Sequence, residues 1–203
     1  MIAFAKPDNI IAMPTKSNEW YTPARYIEAA REVMGGIDLD PSSCKEANMI
    51  VRAEKFYTKE DNGLLLPWHG NVWLNPPYSL EGVPSGKEAG RQIRSVVRQW
   101  IDRLINEYRA GNISEAILLT KADPKQLWFQ LLWEFPICFA SDRVYFHRPH
   151  AEPERHFFGT AFIYLGSNEQ KFIDTFSKFG TIAKRVSQPR QTVQMLSLWE
   201  VSP

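Results

Sequence analysis

The stretch Val72-Trp73-Leu74-Asn75-Pro76-Pro77-Tyr78 joins an apolar segment directly to a stiff, polar one. The consecutive large apolar residues predict a short buried strand. Proline has no N–H and a fixed φ, and the residue before a proline is held extended, so the strand is expected to end abruptly at Asn75. Ligands of open α/β sheets bind beyond the carboxyl ends of the strands. This segment is therefore the first candidate for a functional site.

The residues Asn75 to Tyr78 suit alkylation of an exocyclic amine. The lone pair of such an amine is delocalised into its ring, which makes it a poor nucleophile. The Asn75 side-chain carbonyl and the Pro76 carbonyl can accept the two amine hydrogens, and this contact strengthens as a methyl group arrives. A base must first leave its helical stack, and stacking on Tyr78 can return roughly 1–3 kcal/mol of that cost. The alternative is a proline-rich turn with a core tyrosine, but the position after a strand favours function.

The rest of the chain predicts alternating strands and helices around this segment. Alternation over the first two thirds favours a mostly parallel α/β sheet, and the β-rich end favours antiparallel C-terminal edge strands. We predict helices over 23–34, 45–53, 91–109, 123–133 and 169–179, and strands over 37–39, 72–74, 116–119, 137–140, 144–147, 160–165, 181–186 and 193–201.

The size of the chain favours one domain over residues 1–203. Residues 1–18 are interpreted as an arm, and residues 79–90 and 147–157 as substrate loops.

Composition excludes several classes of protein. The 203 residues carry a formal charge of +1, which argues against a strongly basic coat protein, a histone-like DNA binder and an acidic disordered tail. Two cysteines do not make a disulfide framework, so a reducing cytosol is expected. No apolar run approaches the length of a membrane span, and no signal peptide is predicted. Aromatic residues make up 13% of the chain, which suits both cores and base stacking.

Four segments, taken in order, resemble the phage-type (Dam-like) DNA adenine-N6 methyltransferases. They are Trp20-Tyr21-Thr22-Pro23, Ile37-Asp38-Leu39-Asp40-Pro41, Asp61-Asn62-Gly63-Leu64 with Trp68, and Asn75-Pro76-Pro77-Tyr78-Ser79. The similarity continues through Leu118-Leu119, Ala122-Asp123 and Trp128-Phe129, and spans about residues 19–165. It implies a Rossmann-like methyltransferase fold, S-adenosylmethionine as the cofactor, and double-stranded DNA as the partner. It also implies a cytoplasmic location in a bacterial or phage-infected cell, without a membrane or an obligate protein partner.

The Ile37–Pro41 segment predicts a contact to the cofactor. A carboxylate at a strand end can accept hydrogen bonds from ribose hydroxyls. We expect only one of Asp38 and Asp40 to do so, and we favour Asp40 because it lies nearer the carboxyl end, followed by Pro41 and Ser42 in the same turn. The alternative is that Asp40 caps the turn. A glycine-rich turn, which most such enzymes carry, is missing between Gly36 and Asn75.

Two further segments are candidates for the cofactor site. Tyr21, Thr22 and Pro23 resemble the family's entry to the methionine end of the cofactor, where a helix N-terminus favours a carboxylate. The alternative is a simple cap, with Thr22 at the N-cap and Pro23 at the first helical position. Asp61 either accepts from the adenine amine of the cofactor or belongs to a surface turn, and the sequence favours neither.

A basic stripe follows the catalytic segment. Arg91, Arg94 and Arg98 fall on one helical face after Lys87, where they can neutralise phosphates. The alternative is a solvated face of an amphipathic helix. Other candidate substrate contacts are Ser79, Lys121 and Arg148.

The spacing of His147, His150 and His156 matches no common zinc pattern, so no metal site is predicted.

Two alternatives to DNA adenine methylation stay open. The same four-residue motif occurs in enzymes that methylate RNA adenine or a protein glutamine, although a glutamine enzyme usually needs an additional substrate domain. The other alternative is an inactive DNA-binding relative, which the missing glycine-rich turn supports.

Overall fold

A computed structural model describes residues 20–77, 87–148, 151–155 and 158–186, with side chains over 20–77, 96–147 and 158–186. The helices are α1 (Ala24–Met34), α2 (Lys45–Val51), α3 (Lys87–Arg109), α4 (Leu127–Gln130) and α5 (Glu169–Phe176), with a 3-10 turn at Leu131–Glu134. The strands are β1 (Leu39–Asp40), β2 (Lys55–Phe56), β3 (Gly70–Leu74), β4 (Ile113–Lys121), β5 (Ile137–Ala140), β6 (Tyr145–Arg148), β7 (Ala151–Arg155), β8 (Thr160–Leu165) and β9 (Gly180–Ala183).

Seven strands form one sheet in the order β2-β1-β3-β4-β8-β5-β9. The pairs β2–β1, β1–β3 and β3–β4 are parallel. The pairs β4–β8, β8–β5 and β5–β9 are antiparallel. β5 therefore runs in the same direction as β4, so five of the seven strands share one direction, and β8 and β9 oppose it. The chain is a mixed α/β protein with a parallel core, as the alternation of elements predicted.

Helices cover both faces of the sheet, because successive side chains of a strand point to opposite faces. Val72 and Leu74 of β3 pack in a cluster with residues of α3 and α4. Trp73, between them, packs in a second cluster with residues of α1 and α5. Burial on both faces explains why β3 and β4 are continuous apolar runs in the sequence.

The order of the parallel strands reverses at β1. From β1 the chain moves outward to β2, then returns to place β3 on the other side of β1, with β4 beyond it. In open α/β sheets, ligands bind at such a reversal, beyond the carboxyl ends of the strands. The residues at these ends are Asp40 after β1 and Asn75 after β3.

The expected position of β8 at an edge is wrong. β8 lies between β4 and β5, and Ile163 is opposite both Leu118 and Ile137. All six residues of β8 are buried. A run of apolar residues in the sequence indicates that a strand is buried, but it does not indicate which strands lie beside it in the sheet. β9 does form an edge strand, while the predicted strand over 193–201 lies outside the described residues.

Several elements differ from the prediction in their bounds. The helix predicted over 123–133 is interrupted: α4 begins after Gln126, whose side chain donates to Asp123 at 3.1 Å, and the chain then tightens into the 3-10 turn. α1 begins one residue later than expected, with Pro23 rather than Thr22 at its N-cap. α3 begins at Lys87 rather than residue 91. The hairpin β6–β7 was expected only as a single strand.

Candidate active site

A cavity of about 510 Å³ lies beyond the carboxyl ends of β1, β3 and β4. Its wall combines residues from three parts of the sheet edge and from the segment that precedes α1. The lining residues are Trp20, Tyr21, Thr22, Asp40, Pro41, Ser42, Ser43, Ala47, Val51, Thr58, Lys59, Asn62, Gly63, Leu64, Trp73, Asn75, Pro76, Pro77, Trp100, Leu119, Thr120, Lys121, Phe146, Phe158 and Thr160.

The residues that follow β3, Asn75, Pro76 and Pro77, form part of this wall. Leu74 of β3 is opposite Leu118 of β4, and the chain leaves the sheet at Asn75. The Nδ2 atom of Asn75 donates to the carbonyl of Trp20 at 3.5 Å, and this contact holds the side-chain amide against the segment before α1. Pro76 is buried and Pro77 is exposed. Tyr78 lies outside the described residues, as does Ser79.

Asp40 is a buried carboxylate on the β1 side of the cavity. It is only 3% exposed, and its Oδ1 accepts a hydrogen bond from the N–H of Ser42 at 3.2 Å. Burial raises the pKa of Asp40 to about 7, although hydrogen bonds from Ser43 and Ser42 act in the opposite direction. A carboxylate in this position can accept hydrogen bonds from the hydroxyl groups of a bound ligand, which would offset its loss of hydration.

Asp38, the other carboxylate of the pair, does not line the cavity. Its Oδ2 accepts from the N–H of Asn71 at 2.6 Å, and it lies against Gly70, where an added Cβ would come within 2.1 Å of that oxygen. Gly70 has a φ of 63°, which favours glycine. The structure therefore separates the two carboxylates: Asp38 fastens the start of β3, and Asp40 faces the cavity.

The loop after β2 forms a further wall of the cavity, and of its lining residues only Thr58 and Lys59 were not named in the sequence analysis. Thr58, Lys59, Asn62, Gly63 and Leu64 all line the cavity. A Cβ added to Gly63 would come within 1.9 Å of the Pro41 carbonyl oxygen, so only glycine allows the loop to approach the turn after β1 this closely. The indole N–H of Trp68 donates to the Gly63 carbonyl at 2.8 Å and holds the loop in place. The Asp-Asn-Gly sequence at residues 61–63 was the available signal.

Asp61 itself does not line the cavity. Its Oδ2 accepts from both the N–H and the hydroxyl of Thr58, each at 2.8 Å. These hydrogen bonds lower the pKa of Asp61, which is fully exposed. The geometry is that of a turn on the surface, one of the two interpretations that the sequence left open.

The segment before α1 contributes Trp20, Tyr21 and Thr22 to the wall of the cavity. Tyr21 exchanges backbone hydrogen bonds with His147 at 2.8 and 2.9 Å, which couples this segment to β6. Thr22 is 5% exposed and faces the cavity, whereas Pro23 caps α1 and does not line it. The sulfur of Cys44 caps α2 by accepting from the N–H of Ala47 at 3.4 Å.

The β4 side of the cavity carries a cation beside an aromatic ring. The Nζ of Lys121 lies 4.3 Å from the centre of the Phe158 ring. Burial lowers the pKa of Lys121, and the charge of Asp123 acts in the opposite direction. Thr120 and Thr160, both buried, complete this side. Only Lys121 of these residues was expected from the sequence, because an antiparallel return strand cannot be assigned to a site before its register is known.

The basic stripe is described in part. The Nε of Arg98 donates to both carboxylate oxygens of Asp102, at 2.8 and 2.7 Å, so this guanidinium already has an anionic partner on its own helix. Lys87, Arg91 and Arg94 lie on α3, and Arg148 ends β6; their side chains are outside the described residues.

Among the side chains that the structure describes, no group of three or more His, Cys, Asp or Glu residues could hold a metal ion. His150 and His156 lie outside them. In the described part of the chain, no helix is long and apolar enough to cross a membrane.

Comparisons with known proteins show the family of the chain. The model of the family described as DNA N-6-adenine-methyltransferase (Dam) matches residues 12–156, well over half of the chain. A DNA N-6-adenine-methyltransferase of Escherichia phage T1 is 42% identical over 62 residues, which are 30% of this chain and 25% of that relative. The aligned stretch thus spans about a quarter of the relative. No solved structure shows a significant match. On the extent of the family match, the chain belongs to the DNA N-6-adenine-methyltransferase (Dam) family.

Proposed function

We propose that this protein transfers a methyl group from S-adenosylmethionine to N6 of adenine in double-stranded DNA, with the target base flipped out of the helix. The observation that carries the proposal is that Asp40 and the Asn75-Pro76 pair line one cavity at the reversal of strand order. The family of the chain supports adenine N6 as the acceptor. The seven-stranded sheet with helices on both faces supports a Rossmann-like methyltransferase fold.

The lining residues fit S-adenosylmethionine. A volume of about 510 Å³ lies within the usual range of ligand pockets, roughly 300–1,000 Å³. Asp40 offers a buried acceptor for ribose hydroxyls, and Leu64 and Trp100 offer apolar surface for a purine. The buried Thr22 lies at the entry to α1, where the amino-acid end would meet the positive end of the helix dipole. When bound, this cofactor supplies a methyl group on a sulfonium.

The Asn75-Pro76 pair orients the acceptor amine in this proposal. The Oδ1 of Asn75 and the carbonyl of Pro76 accept the two amine hydrogens, and Nδ2 keeps its contact with Trp20. These hydrogen bonds strengthen as positive charge develops on the nitrogen, so they lower the barrier rather than only bind the base. Tyr78 stacks on the flipped base and offsets part of the cost of unstacking.

The cavity is present although the chain lacks a glycine-rich turn after β1. The turn after β1 is Asp40-Pro41-Ser42-Ser43, and Gly63 from the next loop makes the close backbone approach to it. The cavity therefore persists beside β1 without a GxG sequence. This supports the active enzyme over the inactive DNA-binding relative.

Two measurements test the proposal. Isothermal titration calorimetry with S-adenosylmethionine is expected to show binding, and absence of binding would overturn the role of the cavity. Incubation with a tritium-labelled methyl donor and mixed-sequence duplex DNA is expected to yield N6-methyladenine on nucleoside analysis. Parallel reactions with RNA and with a glutamine-containing peptide separate the alternative acceptors, because labelling of either one in preference to DNA would contradict the proposal.

A further inference from the structure

We propose that Lys121, held over the ring of Phe158, binds a backbone phosphate of the flipped target nucleotide. This inference rests on the proposed function and adds a phosphate subsite to the same cavity. Its starting point is the distribution of charge along the wall. The charged side chains among the described lining residues are Asp40, Lys59 and Lys121.

The three charges are separated by the order of the strands. Asp40 ends β1 and Lys59 follows β2, both on the cofactor side of the catalytic segment. Lys121 ends β4, on the opposite side of β3. The sheet order therefore places Asn75 between Asp40 and Lys121. An acceptor base that approaches Asn75 from the side away from the cofactor arrives beside Lys121.

The register places Lys121 farther along the strand direction, toward the carboxyl ends, than Asn75. Leu74 is opposite Leu118, so Asn75 is level with Leu119. Lys121 lies two residues beyond that level, which is roughly 6–7 Å along an extended strand. In a flipped nucleotide the base enters first, and the sugar and phosphate remain nearer the opening. The position of Lys121 therefore matches the phosphate rather than the reacting amine.

The chemistry of the site agrees with a phosphate. A cation that donated to a ring nitrogen of adenine would withdraw electrons from the amine that has to react, so such a contact would oppose the proposed reaction. A phosphate offsets the lost hydration of the half-buried ammonium group, because a nearby opposite charge favours the charged form. Desolvation lowers the pKa of Lys121 in the free protein, and this cost is recovered when the anion binds.

Phe158 positions the lysine. The Nζ of Lys121 lies 4.3 Å from the centre of the ring, within the distance of a cation–π contact. The N–H of Ala122 donates to the Gly159 carbonyl at 2.9 Å, which fixes the residue after Lys121 to the residue after Phe158. The amine thus lies at the end of β4, and the ring lies two residues before β8, the antiparallel neighbour of β4. A lysine held in this way loses less conformational freedom on binding a phosphate.

The test is the salt dependence of DNA binding, measured by fluorescence anisotropy of labelled mixed-sequence duplex DNA at increasing NaCl. Each neutralised phosphate contributes about 0.9 to the slope of log K against log salt concentration. Lys121→Met keeps the apolar length of the side chain and is expected to reduce the slope by about 0.9. Lys121→Arg is expected to keep the wild-type slope. Lys171→Met on α5, an exposed lysine outside the cavity, is the control for loss of one charge and is expected to keep it too.

Substitutions of Phe158 test the contribution of its ring to DNA binding. Phe158→Leu is expected to weaken DNA binding by about two- to fivefold, which corresponds to the loss of an exposed cation–π contact, while Phe158→Tyr preserves the affinity. Circular dichroism of every variant checks that it is folded. If Lys121→Arg alone is folded, a wild-type slope for it together with near-normal DNA affinity supports the proposal, and a reduced slope contradicts it.

The remaining outcomes separate this inference from the proposed function. An unchanged slope for Lys121→Met overturns the phosphate contact but leaves methyl transfer by the wild type intact. A loss of S-adenosylmethionine affinity in Lys121→Met, with an unchanged slope, assigns the lysine to the carboxylate of the cofactor instead. A reduced slope in a protein that transfers no methyl group overturns the proposed function and keeps the phosphate contact.

Discussion

The side-chain amide of Asn75 donates through Nδ2 to the backbone carbonyl of Trp20, at 3.5 Å, across 55 residues of chain. Since Nδ2 is directed to this carbonyl, Oδ1 is the atom of the amide that remains to accept from a substrate. The contact also joins the segment before α1 to the end of β3. Both segments line the cavity, so the Asn75 amide and the segment before α1 are positioned together.

Replacement of Asn75 tests its role as an acceptor. Asn75→Ala is expected to lower kcat by about 10²–10³, the usual effect of removing one group that stabilises charge in the transition state. Affinity for S-adenosylmethionine in calorimetry is expected to stay close to that of the wild type. Near-normal turnover in this variant would refute the assigned role. Asn75→Asp, which keeps an acceptor but loses the donor to Trp20, is expected to retain intermediate activity.

Because the pKa of Asp40 is raised, we expect cofactor binding to depend on pH. Its pKa is raised to about 7 by burial, so the carboxylate is largely protonated at mildly acidic pH and ionised at mildly basic pH. The ionised form is the stronger acceptor for hydroxyl groups. Affinity for S-adenosylmethionine is therefore expected to increase as the pH rises through about 7 and then to level off. Asp40→Asn is expected to bind weakly and without this dependence, whereas a wild-type profile in the variant would exclude Asp40 as the titrating group.

The same carboxylate predicts a cost to stability. Because the folded pKa of Asp40 lies above its ordinary value of 3.8, the folded protein binds the proton more tightly than the unfolded chain does. The contribution of Asp40 to the free energy of unfolding therefore falls as the pH rises from about 4 to about 7, and is constant above. The whole interval corresponds to about 4 kcal/mol. In denaturant titrations, the free energy of unfolding of Asp40→Asn is expected to fall less over this pH range than that of the wild type.

The close approach of Gly63 to Pro41 leaves no room for a side chain at position 63. Gly63→Ala places a Cβ within 1.9 Å of the Pro41 carbonyl oxygen, so the loop after β2 must move away from the cavity. We expect a loss of about 1–3 kcal/mol of stability, typical of overpacking, together with weaker S-adenosylmethionine binding. The matched control is Gly36→Ala, where a Cβ meets nothing within 4 Å. Equal effects of the two substitutions on cofactor affinity would contradict the role of the Gly63 approach.

The arginines of α3 are expected to differ in their contribution to DNA binding. Arg98 is paired with Asp102, so Arg98→Gln is expected to leave the salt dependence of DNA binding nearly unchanged. The combined Arg91→Gln and Arg94→Gln variant is expected to reduce the slope of log K against log salt concentration by up to about 1.8, the contribution of two phosphates. A large effect of Arg98→Gln, or none of the double variant, would overturn this division of the stripe.

Tyr78 is tested by the state of the target base. Tyr78→Ala is expected to cost roughly 1–3 kcal/mol in capture of the flipped base through lost stacking. DNA carrying 2-aminopurine at the target position is expected to show a smaller fluorescence increase with this variant than with the wild type. Affinity for S-adenosylmethionine serves as the control and is expected to stay close to the wild-type value.

The sequence by itself determined most of the elements and the abrupt end of β3. Continuous apolar runs indicate strands buried on both faces of a sheet, and two consecutive prolines end a strand, so β3, β4 and the turn at Asn75 were predictable from local physics. The start of α1 followed from Pro23, which favours the beginning of a helix. The same local signals indicated a parallel α/β sheet whose strand ends carry polar groups.

Only the tertiary structure decided which of these groups meet. The sequence favoured Asp40 over Asp38 only by its position in the strand, whereas the structure directs the Asp38 carboxylate to the N–H of Asn71 and leaves Asp40 in the cavity. Phe158 and Thr160 reach the site because β8 inserts antiparallel beside β4. Strand order and register depend on contacts between residues far apart in the chain, which local periodicity does not encode. For that reason the 72–78 segment could be recognised from the sequence as a candidate functional site, while the cavity around it could not be predicted.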